Sequence, residues 1–270
     1  MAKYIYEYDN WPEFFWDNKR VVVTLGKVRH LQGKILGQMS ALGFSIKEET
    51  ILSTLTLDVL KSSEIEGEFL NQEQVRSSIE KRLGLEYAGI VHVDRNVEGV
   101  VEMMLDATQR FDTKLDHERI FGWHAALFPT GWSGMHRIDT GCYRDGEMQV
   151  VSGPMGKEKV HFQAPSADVV EKEMDAFINW FDSETSIDGV LKAAIAHFWF
   201  IIIHPFDDGN GRIARAISDM LLARSEESHQ RFYSLSNQIL IEKKKYYEIL
   251  QKVQHSSGDV TDWLDWFLNC

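Results

Sequence analysis

Apolar residues recur at helical spacing along most of the chain. In 20–44, "RVVVTLGKVRHLQGKILGQMSALGF", Val23, Val28, Leu31, Ile35 and Met39 fall near one face, which predicts a long helix. A second helix fits 46–70, "IKEETILSTLTLDVLKSSEIEGEFL", with its end near Gly67. Asn71 and Gln74 have the spacing of a capping box that opens a third, through "EQVRSSIEKRL". Further helices fit "VEGVVEMMLDATQRF", "DHERIFGWHAALF" and "SADVVEKEMDAFINWF". "DGVLKAAIAHFWFIII" is apolar on every side, so it predicts a buried helix. The last residues, "TDWLDWFLNC", keep a stripe of Trp263, Trp266, Phe267 and Cys270, and ending on an apolar stripe predicts that more polypeptide follows.

One segment breaks the helical period. "GCYRDGEMQVVSGPMGKEKVHFQAP" carries Val150 and Val151, a Gly-Pro turn region, then Val160 and Phe162, which predicts a β-hairpin. A lone hairpin is marginal by itself, so this one is either a connector or an element with work at a surface. Composition shifts near 85–95, at "LEYAGIVHVD". The expected division is therefore an N-terminal helical domain over 1–95 and a second domain over 96–270.

Charge narrows the class. A formal net charge of -12 argues against a nucleic-acid backbone as the main partner, because that affinity comes from Lys and Arg neutralising phosphates. The two cysteines, Cys142 and Cys270, are too few for a disulfide framework or a cysteine-rich zinc site. "MAKYIYEYDNWPEFFWD" has no apolar signal region, and no run is long enough to span a membrane, so a cytoplasmic location is expected.

The candidate chemistry lies in "HPFDDGNGR", His204 to Arg212. Pro205 favours leaving the apolar helix right after His204. Gly209 and Gly211 allow successive backbone N–H groups to turn inward as an anion-binding nest. "RIARAISDMLLAR" predicts a helix whose N-terminus adds partial positive charge, and Arg212 and Arg215 sit one turn apart on it. The stretch reads as a phosphate cradle with a carboxylate at its rim. It is not a Walker loop, which needs a different spacing and a Lys-Ser/Thr ending. It is not an EF-hand, because loop position one would fall on Phe206 or His204. The alternative for "DDGNG" alone is a plain acidic turn.

His204–Arg215, "HPFDDGNGRIAR", resembles the Fic signature His-x-Phe-x-(Asp/Glu)-Gly-Asn-Gly-Arg-x-x-Arg at every fixed position. The resemblance implies a mainly α fold: a helical-bundle core with a β-hairpin flap, preceded here by the N-terminal helical domain. It also implies transfer of AMP from ATP, with Mg²⁺, to a Ser, Thr or Tyr hydroxyl of a target protein. In that reading His204 is the general base and Asp208 holds Mg²⁺. Gly209, Asn210 and Gly211 cradle phosphates, while Arg212 and Arg215 neutralise the pyrophosphate side. Phe206 and His197 are expected in the core, and Asp207 in solvent. The flap, with Met148, Val150, Val151, Val160 and Phe162, is expected to align a target by adding a strand. Asn237 and Tyr246 or Tyr247 are the candidates beside adenine.

"SSEIEG", Ser62 to Gly67, resembles the inhibitory motif (Ser/Thr)-x-x-x-Glu-(Gly/Asn) of autoinhibited Fic proteins. On its own it is an ordinary helix end. Beside the downstream signature it implies that Glu66 pairs with Arg215 and withholds that guanidinium from the γ-phosphate. Expected partners are thus a hydroxyl-bearing target protein, the chain itself as a target, and a second copy of the chain, with neither nucleic acid nor membrane. Alternative readings are a Fic enzyme that removes AMP, one with another phosphate-containing donor such as phosphocholine, and a non-catalytic nucleotide-binding regulator.

Overall fold

The computed structural model describes residues 3–85, 91–152 and 159–270. After a short 3-10 turn at Ile5–Glu7, the chain forms α1 (Asn18–Ser40), α2 (Phe44–Ile65) and α3 (Gln72–Leu83). Next come α4 (Arg95–Gln109) and α5 (His117–Leu127), then a two-residue pairing of β1 (Trp132–Ser133) with β2 (His136–Arg137). A hairpin of β3 (Gln149–Ser152) and β4 (Lys159–Gln163) precedes α6 (Ala167–Ser183) and α7 (Gly189–Ile203). The chain continues through α8 (Asn210–Glu226), α9 (Leu235–Ile241), α10 (Lys243–Val253) and α11 (Thr261–Asn269). All the helices expected from periodicity are present; α9 and α10 are additional.

α7 is the axis of the molecule. Phe198, Phe200, Ile202 and Ile203 are at most 1% exposed, and α6, α8 and α11 pack around the helix. Burying each such side chain contributes about 1.5–3 kcal/mol, so the apolar run from Ile195 to Ile203 fixes where this helix ends. α4 packs on α5 and α8, and its crossing with α5 needs Gly99: a β-carbon there would fall 1.7 Å from the Ala126 carbonyl oxygen.

Two local expectations give way to packing. In α1, Val23 and Leu31 are exposed, whereas Val21 and Gln32 are buried. The inward face is chosen partly by polar partners: Arg29 reaches Asp188 and Gln32 reaches Glu226 and Tyr233. At α3, Asn71 Oδ1 accepts from the amides of Glu73 and Gln74, as an N-cap should. The Gln74 side chain does not reach back to close the box; its Oε1 accepts from the Asp94 amide at 3.1 Å, tying α3 to the start of α4.

The hairpin is antiparallel, with Gln149 opposite Gln163, Val150 opposite Phe162 and an irregularity after Val150. The Gly153–Pro154 turn expected at its tip lies outside the described residues. α2 packs along α3 and α9 and touches α8, which brings its C-terminal end to the N-terminus of α8. Among the described residues, no helix is long and apolar enough to cross a membrane.

Candidate active site

The loop between α7 and α8 is built by its own side chains. His204 caps α7 in the left-handed region (φ 50°, ψ 59°), its amide donating to the Phe200 carbonyl at 3.0 Å. Phe206 is fully buried and stacks on His124, ring centroids 4.1 Å apart. Asn210 then closes the loop: its Oδ1 accepts from the Phe206 amide at 3.0 Å and its Nδ2 donates to the Phe206 carbonyl at 2.7 Å. The Asn210 side chain is therefore a brace spent on the loop, and what it leaves for an anion is backbone. Gly209 sits at φ 84°, where a β-carbon would also meet the Phe128 ring at 2.9 Å. The result aims the N-terminus of a 17-residue helix at the loop's concave side.

His204 lines that side. Its Nδ1 lies 3.2 Å from the Ile201 carbonyl oxygen, which can only accept, so Nδ1 carries the proton and Nε2 holds a free lone pair. Burial pulls the imidazole down to about 4, opposed by the Ile201 carbonyl, deepened by the Arg144 charge, and opposed again by Glu66 and Asp208. The ring is thus neutral at pH 7. Arg144 holds the loop from behind: its guanidinium donates to the carbonyls of His204 (2.8 Å), Gly146 (2.8 Å) and Pro165 (2.5 Å). Asp208 is fixed at the rim, accepting from the Gly209 amide at 2.6 Å and from the Ser133 hydroxyl on β1. Asp207 is exposed and also borders the cavity that His204 lines.

The end of α2 covers both arginines. Arg215, fully buried, donates to Glu66 Oε1 at 2.7 Å and to the hydroxyl and carbonyl of Ser62 at 2.9 Å each. Arg212 lies against the Phe128 ring at 4.9 Å and pairs with Glu68 at 2.6 Å. Gly67 turns the chain between these carboxylates at φ 84°. Lys243 donates to the last carbonyl of α2, that of Ile65, at 2.6 Å.

Part of this set borders a cavity of about 580 Å³, in the range of ligand sites generally, while Ser62, Gly67, Glu68, Gly209, Arg212 and Arg215 lie outside its lining. Glu66, His204, Asp208, Asn210 and Gly211 line it, with Val150, Val151 and Phe162 from the hairpin and Tyr246 and Tyr247 from α10. Tyr246 is buried, and its hydroxyl, with that of Ser218, satisfies the core histidine His197. Tyr247 is the half-exposed ring at the wall. Met148, Val160 and Asn237 do not border the cavity. Asn237 is engaged in the first turn of α9, its amide on Ser234 Oγ, and that helix packs against α2 instead. Sequence reasoning did not single out Ser133, Arg144, Glu68 or Lys243; of these only Glu68, two residues past Glu66, carried a local signal. Among the described residues, no group of three or more His, Cys, Asp or Glu is arranged to hold a metal.

Comparison with known proteins matches the geometry. Residues 114–222 fit the model of the Fic/DOC family, and residues 4–85 fit a domain of unknown function (DUF4172). A protein adenylyltransferase Fic of Nematostella vectensis is 24% identical over 225 residues, covering 78% of this chain and 46% of the relative. Protein adenylyltransferase fic-1 of Caenorhabditis elegans is 28% identical over 178 residues, covering 64% of this chain and 32% of the relative. The chain thus spans less than half the length of these curated relatives. Among solved structures, a Fic family protein from Desulfovibrio desulfuricans G20 superposes with a TM-score of 0.67 at 23% identity, over 96% of this chain and 73% of that one. The fold is therefore the Fic helical fold with its hairpin, and residues 114–222 match the Fic/DOC family.

Proposed function

We propose that this chain transfers AMP from ATP to a hydroxyl of a protein and that Glu66 restrains the reaction. The observation that carries the reading is convergence: a neutral imidazole with a free Nε2, a rim carboxylate, a helix N-terminus and Glu66, which holds the buried Arg215 behind it, meet at one cavity. Relatives named protein adenylyltransferase support the same activity.

His204 Nε2 takes the proton from the target hydroxyl as its oxygen bonds to the α-phosphorus. The bond from that phosphorus to the bridging oxygen breaks, and pyrophosphate leaves. The amides opening α8 receive the phosphate oxygens, and Arg212 and Arg215 hold the departing charge, since phosphoryl transfer is mostly positioning and charge stabilisation. The donor set suits Mg²⁺, which is commonly held by one or two carboxylates plus phosphate oxygens; Asp208 is such a carboxylate at the rim. When bound, the ion neutralises phosphate charge. The exposed edge of β3 aligns the target by adding its backbone as a strand. Tyr247 is the ring available to a base.

Glu66 opposes this in two ways. It occupies the Arg215 guanidinium, and its negative charge lies beside the path of the triphosphate. ATP held out of line with the hydroxyl reacts slowly.

The test incubates wild type, Glu66→Gly and Glu66→Gly/His204→Ala with Mg²⁺ and α-labelled ATP and follows label on protein, the enzyme itself included. Label on Glu66→Gly alone is the expected result. Equal label on wild type removes the restraint, label on the double variant removes His204 as base, and no label on any variant that binds ATP removes AMP transfer.

A further inference from the structure

The hairpin's two outer edges are treated differently. β3 is exposed along its whole length. The outer edge of β4 is closed, although among the described residues no strand lies beside it: side chains take the place of a neighbour. The Tyr6 hydroxyl donates to the Gln163 carbonyl at 2.8 Å, and the Gln163 amide donates to the Tyr4 hydroxyl at 3.2 Å. One step along, the Gln254 side chain donates to the His161 carbonyl at 2.8 Å.

The same tyrosines hold the residue between. Both rings meet Phe162 edge to face, with centroids 5.4 Å and 6.3 Å away, and Phe162 in turn lies 6.3 Å from the His204 ring. The segment bearing them is itself fixed. Ile5 is buried and its amide donates to the Gln254 carbonyl at 2.7 Å, while Tyr4 stacks on His255 at 4.7 Å. Burial raises the Tyr6 hydroxyl well above its ordinary range, with Glu7 adding to the effect, so it remains a donor at neutral pH.

We propose that Tyr4 and Tyr6 are positioning residues: by standing in for a third strand on β4 they lock the hairpin's rear edge, set Phe162 against His204, and leave β3 as the edge a target strand joins. This gives the first residues of the segment matching a domain of unknown function a role at the reaction site. It rests on the AMP-transfer reading for its effect on rate but not for its effect on the hairpin. A third bonded strand is what makes a hairpin stable rather than marginal, and two hydroxyls engaging the amide and the carbonyl of one residue supply that constraint locally.

The test compares Glu66→Gly with Glu66→Gly/Tyr4→Phe/Tyr6→Phe, which keeps both rings and deletes only the hydroxyls; Tyr8→Phe, which touches neither bond, is the control. Amide hydrogen exchange at Gln163 is expected to quicken at least tenfold and the His204 imidazole NMR signal to move, without nucleotide present. Label from α-labelled ATP is expected to fall several-fold at unchanged ATP affinity. Unchanged exchange and an unmoved His204 signal overturn the proposal. Faster exchange with undiminished label also overturns it, because the hydroxyls would then serve folding alone. If Glu66→Gly takes up no label, the AMP-transfer reading fails on that result, and exchange with the His204 signal still decides the strap.

Discussion

Glu66 occupies the space that a side chain on Gly211 would need: a β-carbon there would stand 2.2 Å from the carboxylate Oε1. The pair that neutralises Arg215 therefore depends on residue 211 having no side chain. Gly211→Ala must push the carboxylate off the guanidinium, leaving a buried charge with only Ser62 as partner. The expected loss is about 1–2 kcal/mol of stability in wild type, the size of coupling seen between residues in contact. In Glu66→Gly the carboxylate clash is gone and the remaining close neighbour is Arg215 Nη1 at 3.2 Å, so the substitution costs less than in wild type, offset by up to about 1 kcal/mol from helix propensity. Urea unfolding of the four proteins measures this; additive effects would count against the relationship.

Glu68 does to Arg212 what Glu66 does to Arg215, through a more exposed side chain (45% against 29%). Such exposure keeps its contribution to stability under about 1 kcal/mol. Its effect on the anion site is larger, because Arg212 is itself buried. Glu68→Gln in the Glu66→Gly background is expected to tighten ATP three- to tenfold, read by calorimetry. Unchanged affinity would show that Arg212 is not held back by Glu68.

Asn210 satisfies both main-chain groups of buried Phe206. Asn210→Ala leaves a donor and an acceptor unpaired, at about 1–3 kcal/mol each. Asn210→Asp keeps the acceptor and loses the donor, so it falls between. An alanine variant as stable as wild type in chemical unfolding would contradict this brace.

Three histidines bear on acid stability, His124 and His197 buried and His204 half-buried at the cavity. Burial lowers His204 and His124 to about 4 and His197 to about 3, from an ordinary 6.5. Their folded-state values are depressed, so their full contribution is present above pH 6.5 and is lost as pH falls toward 4 and then 3. In that window the unfolded chain binds protons that the folded chain refuses. Each group costs up to about 1.4 kcal/mol per pH unit. Unfolding free energies from pH 7 to 5 should decline, and His197→Gln should flatten the decline; a profile identical to wild type would rule His197 out as a contributor.

The helices were legible because apolar periodicity is local, and "HPFDDGNGRIAR" was legible because its residues lie within one loop and the first turns of the helix that follows. What escaped was supplied from far along the chain. Tyr4 and Tyr6 meet Gln163 across more than 150 residues, and Ser133 meets Asp208 across 75. Nothing in the local spacing of those residues marks them. Val23 and Leu31 misled for a related reason: α1 is oriented by Arg29 and Gln32, whose partners lie on distant elements, and not by its apolar residues alone. The Asn210 side chain is turned to the Phe206 main chain, and spacing does not reveal which way an amide turns.

Arg144 has one more consequence. Among the described residues its hydrogen-bond partners are all main-chain carbonyls, so no carboxylate pairs with its charge, and that charge helps hold His204 low. Glu147 and Asp207 act on it only from a distance, and in the reaction proposed above a triphosphate arriving beside the imidazole adds further negative charge. The affinity of Nε2 for a proton then rises with occupancy and subsides when the nucleotide leaves. On the AMP-transfer reading, the donor nucleotide thereby raises the proton affinity of the group proposed to act as its base.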